Sequence, residues 1–204
     1  MKFYNSIGPN PKLVRMFAAE KGFTFPETVD VDIMSGENRQ DAYKAKNPGA
    51  QMPGLELDDG RFLAETIALC EYIEDLQAEP PLIGSNPEER AETRMWVRRI
   101  EERINWPLAA AFRNSEGLPL FKDRILTIPE AADGLKAVAQ EGMRWLEEQI
   151  AGRDTIVPGR FTLADVALFS FTEFGAQVGQ PIDAGLANLN AWFEATKARP
   201  SSQA

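Results

Sequence analysis

The chain has 204 residues, of which 44% are hydrophobic and 26% charged, a composition typical of one large globular domain or two small ones. A formal net charge of −9 without any basic run argues against a nucleic-acid-binding protein. The chain contains no histidine, which excludes Ser-His-Asp catalysis, Cys-His catalysis and zinc sites with histidine ligands.

The first part of the chain alternates between strand and helix patterns. Residues 2–4 and 28–33 have the short apolar or alternating patterns of strands. Between them, residues 11–21 carry an apolar stripe at helical spacing. Asn10 precedes a proline at the start of this stripe, so we predict that Asn10 is the N-terminal cap of the helix.

A second block of three elements follows a weak helical pattern at residues 41–46. Residues 54–57 and 61–64 flank an Asp-Gly turn, which predicts a β-hairpin, and residues 66–76 have the pattern of a helix. A crossover helix joins parallel strands and a hairpin joins antiparallel ones. The order βαβ and then ββα therefore predicts an α/β domain with a mixed four-stranded sheet.

Strand patterns end at a proline-rich segment, residues 79–86, which we predict to be a linker. We therefore expect one domain over residues 1–78 and a second, all-helical domain over residues 87–204. The second domain has four helical patterns, at residues 87–114 with a bend at Pro107, and at residues 129–152, 162–174 and 189–198.

Nothing in the sequence indicates a membrane segment or export. No apolar run reaches 18 residues, and the N-terminus lacks the pattern of a signal peptide. Cys70 is the single cysteine, so no internal disulfide can form, and this fits a reducing cytosol. We expect a cytoplasmic protein without nucleic-acid or membrane partners.

Three segments of the first half stand out together: residues 6–15, with a proline-containing loop entering a helix, residues 47–53, with Asn-Pro-Gly-Ala-Gln-Met-Pro, and residues 64–66, with Ala-Glu-Thr. Each segment alone is typical of a turn or a helix start. In this order and spacing they resemble the glutathione site of the glutathione S-transferase family, which has Asn-Pro-x-Gly-Lys-Val-Pro and then Glu-Ser-x-Ala-Ile. Residues 159–165 and 198–201 resemble segments of the family's helical half.

The resemblance covers essentially the whole chain. It implies a thioredoxin-like N-terminal domain followed by an all-helical C-terminal domain that carries a pocket for an electrophile. The implied activity is that of a homodimeric detoxifying glutathione transferase, in which the glutathione thiolate attacks a hydrophobic electrophile. Glutathione is then a co-substrate, and neither a metal nor a further cofactor is implied.

The resemblance also assigns roles in binding the γ-glutamyl end and the middle of glutathione. Glu65 is implied to accept a charge-assisted hydrogen bond from the α-ammonium group. Thr66 is implied to hold the α-carboxylate with its hydroxyl and N–H at a helix start, where the helix dipole favours negative charge. The bond before Pro53 is implied to be cis, so that the Met52 backbone pairs with the cysteinyl backbone.

At the glycine end of glutathione the chain departs from the family pattern. Gln51 stands where the family often has lysine, so it could bind the glycine carboxylate only as a neutral donor. Arg39 and Lys12 are the two candidates to supply the missing positive charge.

Activation of the thiol has two candidates. The first loop contains no cysteine, and Gly8 occupies the position that often holds the family's serine. Asn10 matches the family's asparagine, and we predict that it stabilises the thiolate together with backbone N–H groups from Lys12 onward. Ser6 is the rival donor, and Tyr4 is expected to belong to the core.

For the second substrate, we predict a pocket lined by Arg103, Trp106 and Phe112. Cys70 is expected to be buried and unreactive. Two other functions stay open, a glutathione-dependent disulfide reductase or peroxidase, and a non-catalytic binding or scaffold protein. Loss of Glu65 and Thr66 would favour the scaffold, but both residues are present.

Overall fold

The computed structural model describes all 204 residues. The chain divides into two compact units, one formed by Met1–Leu82 with Gln203–Ala204 and the other by Ile83–Ser202. The boundary lies inside the segment predicted to be a linker, residues 79–86. None of the helices has the length and apolar character needed to cross a membrane.

The first unit is a four-stranded sheet with helices. Its elements are β1 (Lys2–Asn5), α1 (Pro9–Lys21), β2 (Glu27–Asp30), a 3-10 helix (Glu37–Arg39), α2 (Asp41–Lys44), β3 (Gly54–Glu56), β4 (Phe62–Leu63) and α3 (Thr66–Leu76). The strand order is β2-β1-β3-β4, with β1 parallel to β2 and antiparallel to β3. The predicted thioredoxin-like domain with a mixed sheet is confirmed.

Helix α1 begins two residues earlier than the sequence pattern predicted. Gly8 is the residue before the helix, with a φ of +105°, and Pro9 is the first helical residue. Glycine tolerates this positive φ and proline suits the first helical position, so the pair Gly8-Pro9 starts the helix. Asn10 therefore lies within the first turn, and its predicted role as the N-terminal cap is wrong.

Strand β2 ends at Asp30, three residues sooner than predicted. Asp32 turns the chain, because its Oδ1 accepts hydrogen bonds from the N–H groups of Met34 and Ser35 at 2.8 and 3.2 Å. Val31 still donates to the Asn5 carbonyl at 2.9 Å. The chain therefore leaves the sheet at the carboxyl ends of β1 and β2.

A buried ion pair joins α1 to α3 at the ends of these helices far from their first turns. The Lys21 ammonium lies 2.8 Å from the Glu74 carboxylate, and both side chains are fully buried. Lys21 also donates to the carbonyls of Ala78 and Pro80, at 3.0 and 2.5 Å. The pair therefore fixes the two helices to each other and to the segment that follows α3.

The second unit is all-helical. Its elements are α4 (Pro87–Ile100), a π-helix (Glu101–Asn105), α5 (Trp106–Asn114), α6 (Leu118–Phe121), a 3-10 helix (Pro129–Ala131), α7 (Ala132–Gln149), α8 (Leu163–Gln177), α9 (Ala187–Lys197) and a terminal 3-10 helix (Pro200–Gln203). The four predicted helical segments are present with shifted ends. Helix α6 was not predicted, because four residues are too few for a helical period.

The helix is irregular just before Pro107, where the sequence predicted a bend. Pro107 has no N–H to donate to the Arg103 carbonyl four residues earlier. The chain there forms a π-turn, in which the Trp106 N–H donates to the Glu101 carbonyl. Gly142 of α7 then approaches the Arg103 carbonyl so closely that a methyl group on Gly142 would lie 2.3 Å from that oxygen.

Helix α8 begins with a capping box formed by Thr162 and Asp165. The buried Asp165 carboxylate also accepts from the Ile156 N–H and from Trp192 Nε1, both at 2.9 Å. Burial raises the pKa of Asp165 from 3.8 to about 6, although these hydrogen bonds oppose the change. The folded state thus binds this proton more tightly than the unfolded state, so the contribution of Asp165 to stability falls as pH rises between those two values.

The contact at Gly142 can be tested against a second glycine of α7. Gly142→Ala should lower the free energy of unfolding by about 1–3 kcal/mol, because the new methyl group overlaps the Arg103 carbonyl. Gly134→Ala is the control: a methyl group there meets no atom within 4 Å, so the variant should gain about 0.5–1 kcal/mol. Chemical denaturation followed by circular dichroism measures both. Equal effects of the two substitutions would contradict the close approach.

Candidate functional site

The first turns of α1 and α3 are joined by a hydrogen bond between side chains 56 residues apart in sequence. The Thr66 hydroxyl donates to Asn10 Oδ1 at 3.1 Å. Both residues were predicted to belong to the site, but this contact between them was not predicted. The bond occupies the hydroxyl proton of Thr66 and leaves the Asn10 Nδ2 amide to donate elsewhere.

In the first turn of α1, the backbone N–H that is available to a ligand is that of Asn10. Pro9 and Pro11 have no N–H groups, and the Lys12 N–H donates to the Gly8 carbonyl at 3.3 Å. The Lys12 N–H, one of the predicted backbone donors, is therefore already engaged within the helix. The first turn presents two N–H sources, the Asn10 backbone and the Asn10 side chain.

The two other hydroxyl groups near this loop are already occupied. Ser6 is buried, and its hydroxyl donates to the Val31 carbonyl at 2.7 Å. The Tyr4 hydroxyl donates to the Glu56 carboxylate at 2.6 Å, and its ring packs in a buried cluster with Tyr43. The prediction that Tyr4 belongs to the core is confirmed.

The segment that precedes β3 is held by hydrogen bonds to one carbonyl. The Gln51 carbonyl accepts from the Tyr43 hydroxyl and from Asn47 Nδ2, each at 2.9 Å. The peptide bond between Met52 and Pro53 is cis, as the resemblance predicted. The side chain of Gln51 is exposed, whereas that of its neighbour Met52 packs against the buried cluster.

A short connection sets Arg39 beside the same segment. Asn38 is buried, and its Nδ2 donates to the Ala50 carbonyl at 2.7 Å, which ties the 3-10 helix to the residue before Gln51. The neighbouring Arg39 has a buried Nε without a hydrogen-bond partner in the chain. Lys12 lies half-buried on α1 instead. Of the two candidate cations, Arg39 is therefore the one tied to the segment of Gln51.

Glu65, the residue before α3, has a strained backbone. Its φ of 69° and ψ of 114° lie in a region that residues with a Cβ rarely adopt. Such a conformation costs about 1–3 kcal/mol and tends to occur at functional sites. The side chain is exposed beside Thr66 at the helix start. The sequence predicted Glu65 as a site residue but not its backbone conformation, because glutamate is not a residue that indicates a positive φ.

The three residues predicted to line a second pocket have different neighbours. The Arg103 guanidinium lies 4.6 Å from the centre of the Trp145 ring. Phe112 packs edge-on against Phe174, with ring centres 4.9 Å apart. Trp106 is 62% exposed. A pocket formed by these residues stays a prediction.

A cavity of about 320 Å³, which was not predicted from the sequence, opens in the first unit beside the start of α1. Its lining residues are Asn5, Ser6, Ile7, Arg15, Asp30, Val31, Asp32, Ile33 and Met34. Three of these residues form a chain of hydrogen bonds, in which Arg15 donates to Asn5 Oδ1 at 2.5 Å and Asn5 Nδ2 donates to Asp30 at 2.7 Å.

The thiol of Cys70 is remote from this chemistry. Its side chain is completely buried, as predicted. Burial, with the nearby Glu71 and Glu74 carboxylates, raises the pKa of Cys70 well above its ordinary value. The only cysteine of the chain is therefore a thiol in the core and not a nucleophile.

Comparisons with known proteins match both units. Residues 1–75 match the model of the glutathione S-transferase N-terminal domain, and residues 129–195 match that of the glutathione S-transferase C-terminal domain. Glutathione S-transferase F10 of Arabidopsis thaliana is 30% identical over 178 residues, which cover 85% of this chain and 80% of that protein. Glutathione S-transferase 2 of Saccharomyces cerevisiae is 29% identical over 197 residues, which cover 95% of this chain and 84% of that protein.

A solved structure agrees with these matches. The crystal structure of a glutathione S-transferase domain-containing protein from Marinobacter aquaeolei VT8 aligns with a TM-score of 0.92 and 37% identity. The alignment covers 99% of this chain and 100% of that chain.

Proposed function

The chain belongs to the glutathione S-transferase family and is a transferase; we propose that its glutathione site is formed by the first turns of α1 and α3 and the segment before β3. The observation that carries this proposal is the hydrogen bond from Thr66 to Asn10, which brings two of the three predicted glutathione segments into contact. The hydrogen bonds to the Gln51 carbonyl support the third segment.

The γ-glutamyl end of glutathione binds at the start of α3. Glu65 accepts a charge-assisted hydrogen bond from the α-ammonium group. The α-carboxylate accepts from the backbone N–H groups at the helix start, where the helix dipole favours an anion. Because the hydroxyl proton of Thr66 is donated to Asn10, the Thr66 backbone rather than its hydroxyl serves the carboxylate.

The thiol is placed against Asn10. Its Nδ2 amide and backbone N–H are the two donors of that turn, and both favour the thiolate over the thiol. Lowering the pKa of a thiol from about 8.5 by two units requires about 2.7 kcal/mol. One hydrogen bond to a charged group contributes about 1.5–3 kcal/mol, so two donors and the helix dipole are sufficient.

The glycine end binds near Gln51 and Arg39. Gln51 is exposed and can donate to the glycine carboxylate, but it brings no charge. The buried Nε of Arg39 has no hydrogen-bond partner in the chain, which supports Arg39 as the positive charge near the glycine carboxylate. Met52 and Pro53 supply the backbone between the thiol and the glycine end.

The reaction is a substitution or an addition at an electrophilic carbon, with the glutathione sulfur as the nucleophile. Glutathione loses its thiol proton to solvent, and the sulfur lone pair forms a bond to an electrophilic carbon of an apolar substrate. In a substitution the leaving group departs with the electrons of its bond, as chloride does from an aryl chloride. We propose a detoxifying role in the cytoplasm, since an apolar electrophile is the substrate class that such a reaction removes.

The role of Glu65 gives the first test of binding. Glu65→Gln removes the charge that meets the α-ammonium group and should weaken glutathione binding by about 1.5–3 kcal/mol without changing stability. Glu65→Gly should weaken binding as much, yet should not lower the free energy of unfolding, because glycine adopts a positive φ without strain.

Titration calorimetry measures the affinity for glutathione, and chemical denaturation measures the free energy of unfolding. The control is Ala68→Gly, an exposed position inside α3, which should lose about 1 kcal/mol of stability and keep glutathione binding. If the unaltered protein gives no heat with glutathione, the proposed function is wrong.

The role of Asn10 is tested by the pKa of bound glutathione, followed by the ultraviolet absorbance of the thiolate. Asn10→Ala should raise the thiol pKa by about one unit or more, because it removes the side-chain donor. Thr66→Val should raise it less, since it only frees the Asn10 amide to turn, and Thr66→Ser should restore it.

Ser6→Ala should leave the thiol pKa unchanged, because the Ser6 hydroxyl already donates to Val31. All variants are compared at matched glutathione occupancy. A rise of about one unit in Ser6→Ala together with no change in Asn10→Ala would assign thiol activation to Ser6 instead.

We also propose a homodimer, as the family resemblance implies. The chain has a mass of 22.7 kDa, so light scattering should give twice this value. A mass of one chain at all concentrations would refute the dimer and leave the glutathione site unaffected.

A further inference from the structure

The Arg15 side chain of α1 reaches back to the loop that precedes its own helix. Side chains of a helix point toward its N-terminus, so a long side chain in the second turn can contact the residues before the first turn. The half-buried Arg15 donates from Nη1 to Asn5 Oδ1 at 2.5 Å and to the Ser6 carbonyl at 3.2 Å. Arg15 therefore joins α1 directly to the end of β1.

Asn5 extends this contact to the neighbouring strand. It is the last residue of β1, and its Nδ2 donates to the Oδ1 of Asp30, the last residue of β2, at 2.7 Å. Burial lowers the pKa of Arg15, and the Asp30 carboxylate opposes this change. A cation, an amide and an anion thus form one chain of hydrogen bonds, and hydrogen bonds to charged groups are the stronger ones.

Ser6 is held at its carbonyl and at its hydroxyl. The carbonyl accepts from Arg15, and the buried hydroxyl donates to the Val31 carbonyl at 2.7 Å. The Val31 N–H in turn donates to the Asn5 carbonyl at 2.9 Å. Ser6, where the chain leaves β1, is therefore fixed both to α1 and to the segment after β2.

The connection from Ser6 to Asn10 is short. It consists of Ile7, Gly8 and Pro9, and the ring of Pro9 fixes its φ. Asn10 follows in the first turn of α1. Loss of the contacts of Arg15 would free the start of α1 to shift on the end of β1, and Asn10 would shift with it.

We propose that Arg15 is a positioning residue for activation of the thiol, because it fixes the start of α1 to the ends of β1 and β2 and so places the two donors of Asn10 against the sulfur. The inference rests on the proposed glutathione site and adds a residue that does not itself touch the ligand. Its effect is geometric, since a hydrogen bond weakens steeply when the donor is misaligned. The rival explanation is a direct effect of the Arg15 charge on the thiolate.

The experiment measures the thiol pKa of bound glutathione from the ultraviolet absorbance of the thiolate. Arg15→Met keeps a long side chain that neither donates nor carries charge. It should raise the thiol pKa by about one unit, which corresponds to an approximately tenfold loss of thiolate below that pKa. The affinity for S-methylglutathione should change by less than about twofold, because this probe has no thiol to ionise.

Asn5→Ala separates position from charge. It removes an acceptor of the Arg15 guanidinium and leaves the cation in place, so a positioning role predicts a rise in the thiol pKa of about half a unit or more. A direct effect of the charge predicts no rise. Salt separates the two causes again, because the rise in Arg15→Met should persist at about 1 M salt if it is geometric and should shrink if it is a charge effect. If Arg15→Met does not fold, Asn5→Ala still decides.

A double-mutant cycle tests whether Arg15 acts through Asn10. In the Asn10→Ala background, Arg15→Met should raise the thiol pKa by about half as much or less, because one of the donors that it positions is already lost. The matched control is Arg61→Met, which removes an exposed arginine from the β3–β4 hairpin at the other end of β1. The control should leave the thiol pKa unchanged.

The outcomes distinguish the positioning role from the glutathione site itself. A rise in Arg15→Met without a rise in Asn5→Ala would refute the positioning role, and so would equal effects of Arg15→Met with and without the Asn10 side chain. If neither variant changes the thiol pKa while S-methylglutathione still binds, Arg15 has no role in activation and the glutathione proposal stands. If the unaltered protein does not bind S-methylglutathione, the proposed site is itself refuted.

Discussion

The hydrogen bond between Thr66 and Asn10 is the contact on which the geometry of the site depends. It joins the first turns of two helices, α1 and α3, at residues 56 positions apart. The first turn of α1 presents the Asn10 backbone N–H, the first turn of α3 presents the N–H groups at its start, and both helix ends favour negative charge. A ligand with an anionic carboxylate and an ionisable thiol needs both turns at once. The bond also orients the Asn10 amide, so that in the proposed site the residue that binds the γ-glutamyl end is linked directly to the residue that activates the thiol.

The two helices can hold this bond because their other ends are fixed. Lys21 and Glu74 form a buried ion pair near the last turns of α1 and α3, and Lys21 also donates to two carbonyls beyond α3. A buried ion pair of this kind contributes little net stability, but removal of one partner would leave an unpaired buried charge. The ion pair thus joins the last turns of α1 and α3, and the Thr66–Asn10 hydrogen bond joins their first turns.

The sequence was sufficient for a mixed four-stranded sheet and for the start of α3 at Thr66. Residues 66–76 were predicted as a helix with the bounds that the structure has, because a clear apolar period follows a strand-to-helix junction. The start of α1 was misplaced because Pro9 and Pro11 are both acceptable first residues, and a positive φ at Gly8 decides between them. The strain at Glu65 and the cavity at the ends of β1 and β2 depend on contacts distant in sequence. No local pattern carries them.

The absence of histidine has a consequence for how the site works. Neither Asn10 nor Thr66 titrates near neutral pH, and a neutral amide can stabilise a thiolate but cannot accept its proton. In the proposed mechanism the proton therefore passes to solvent, and the group that titrates is the thiol of glutathione itself. Any residue that moves the thiol pKa moves the pH dependence of the whole reaction by the same amount. We expect the hydrogen bond from Thr66 to Asn10 to act in this way, although the proposed site places Thr66 at the γ-glutamyl end and not at the sulfur.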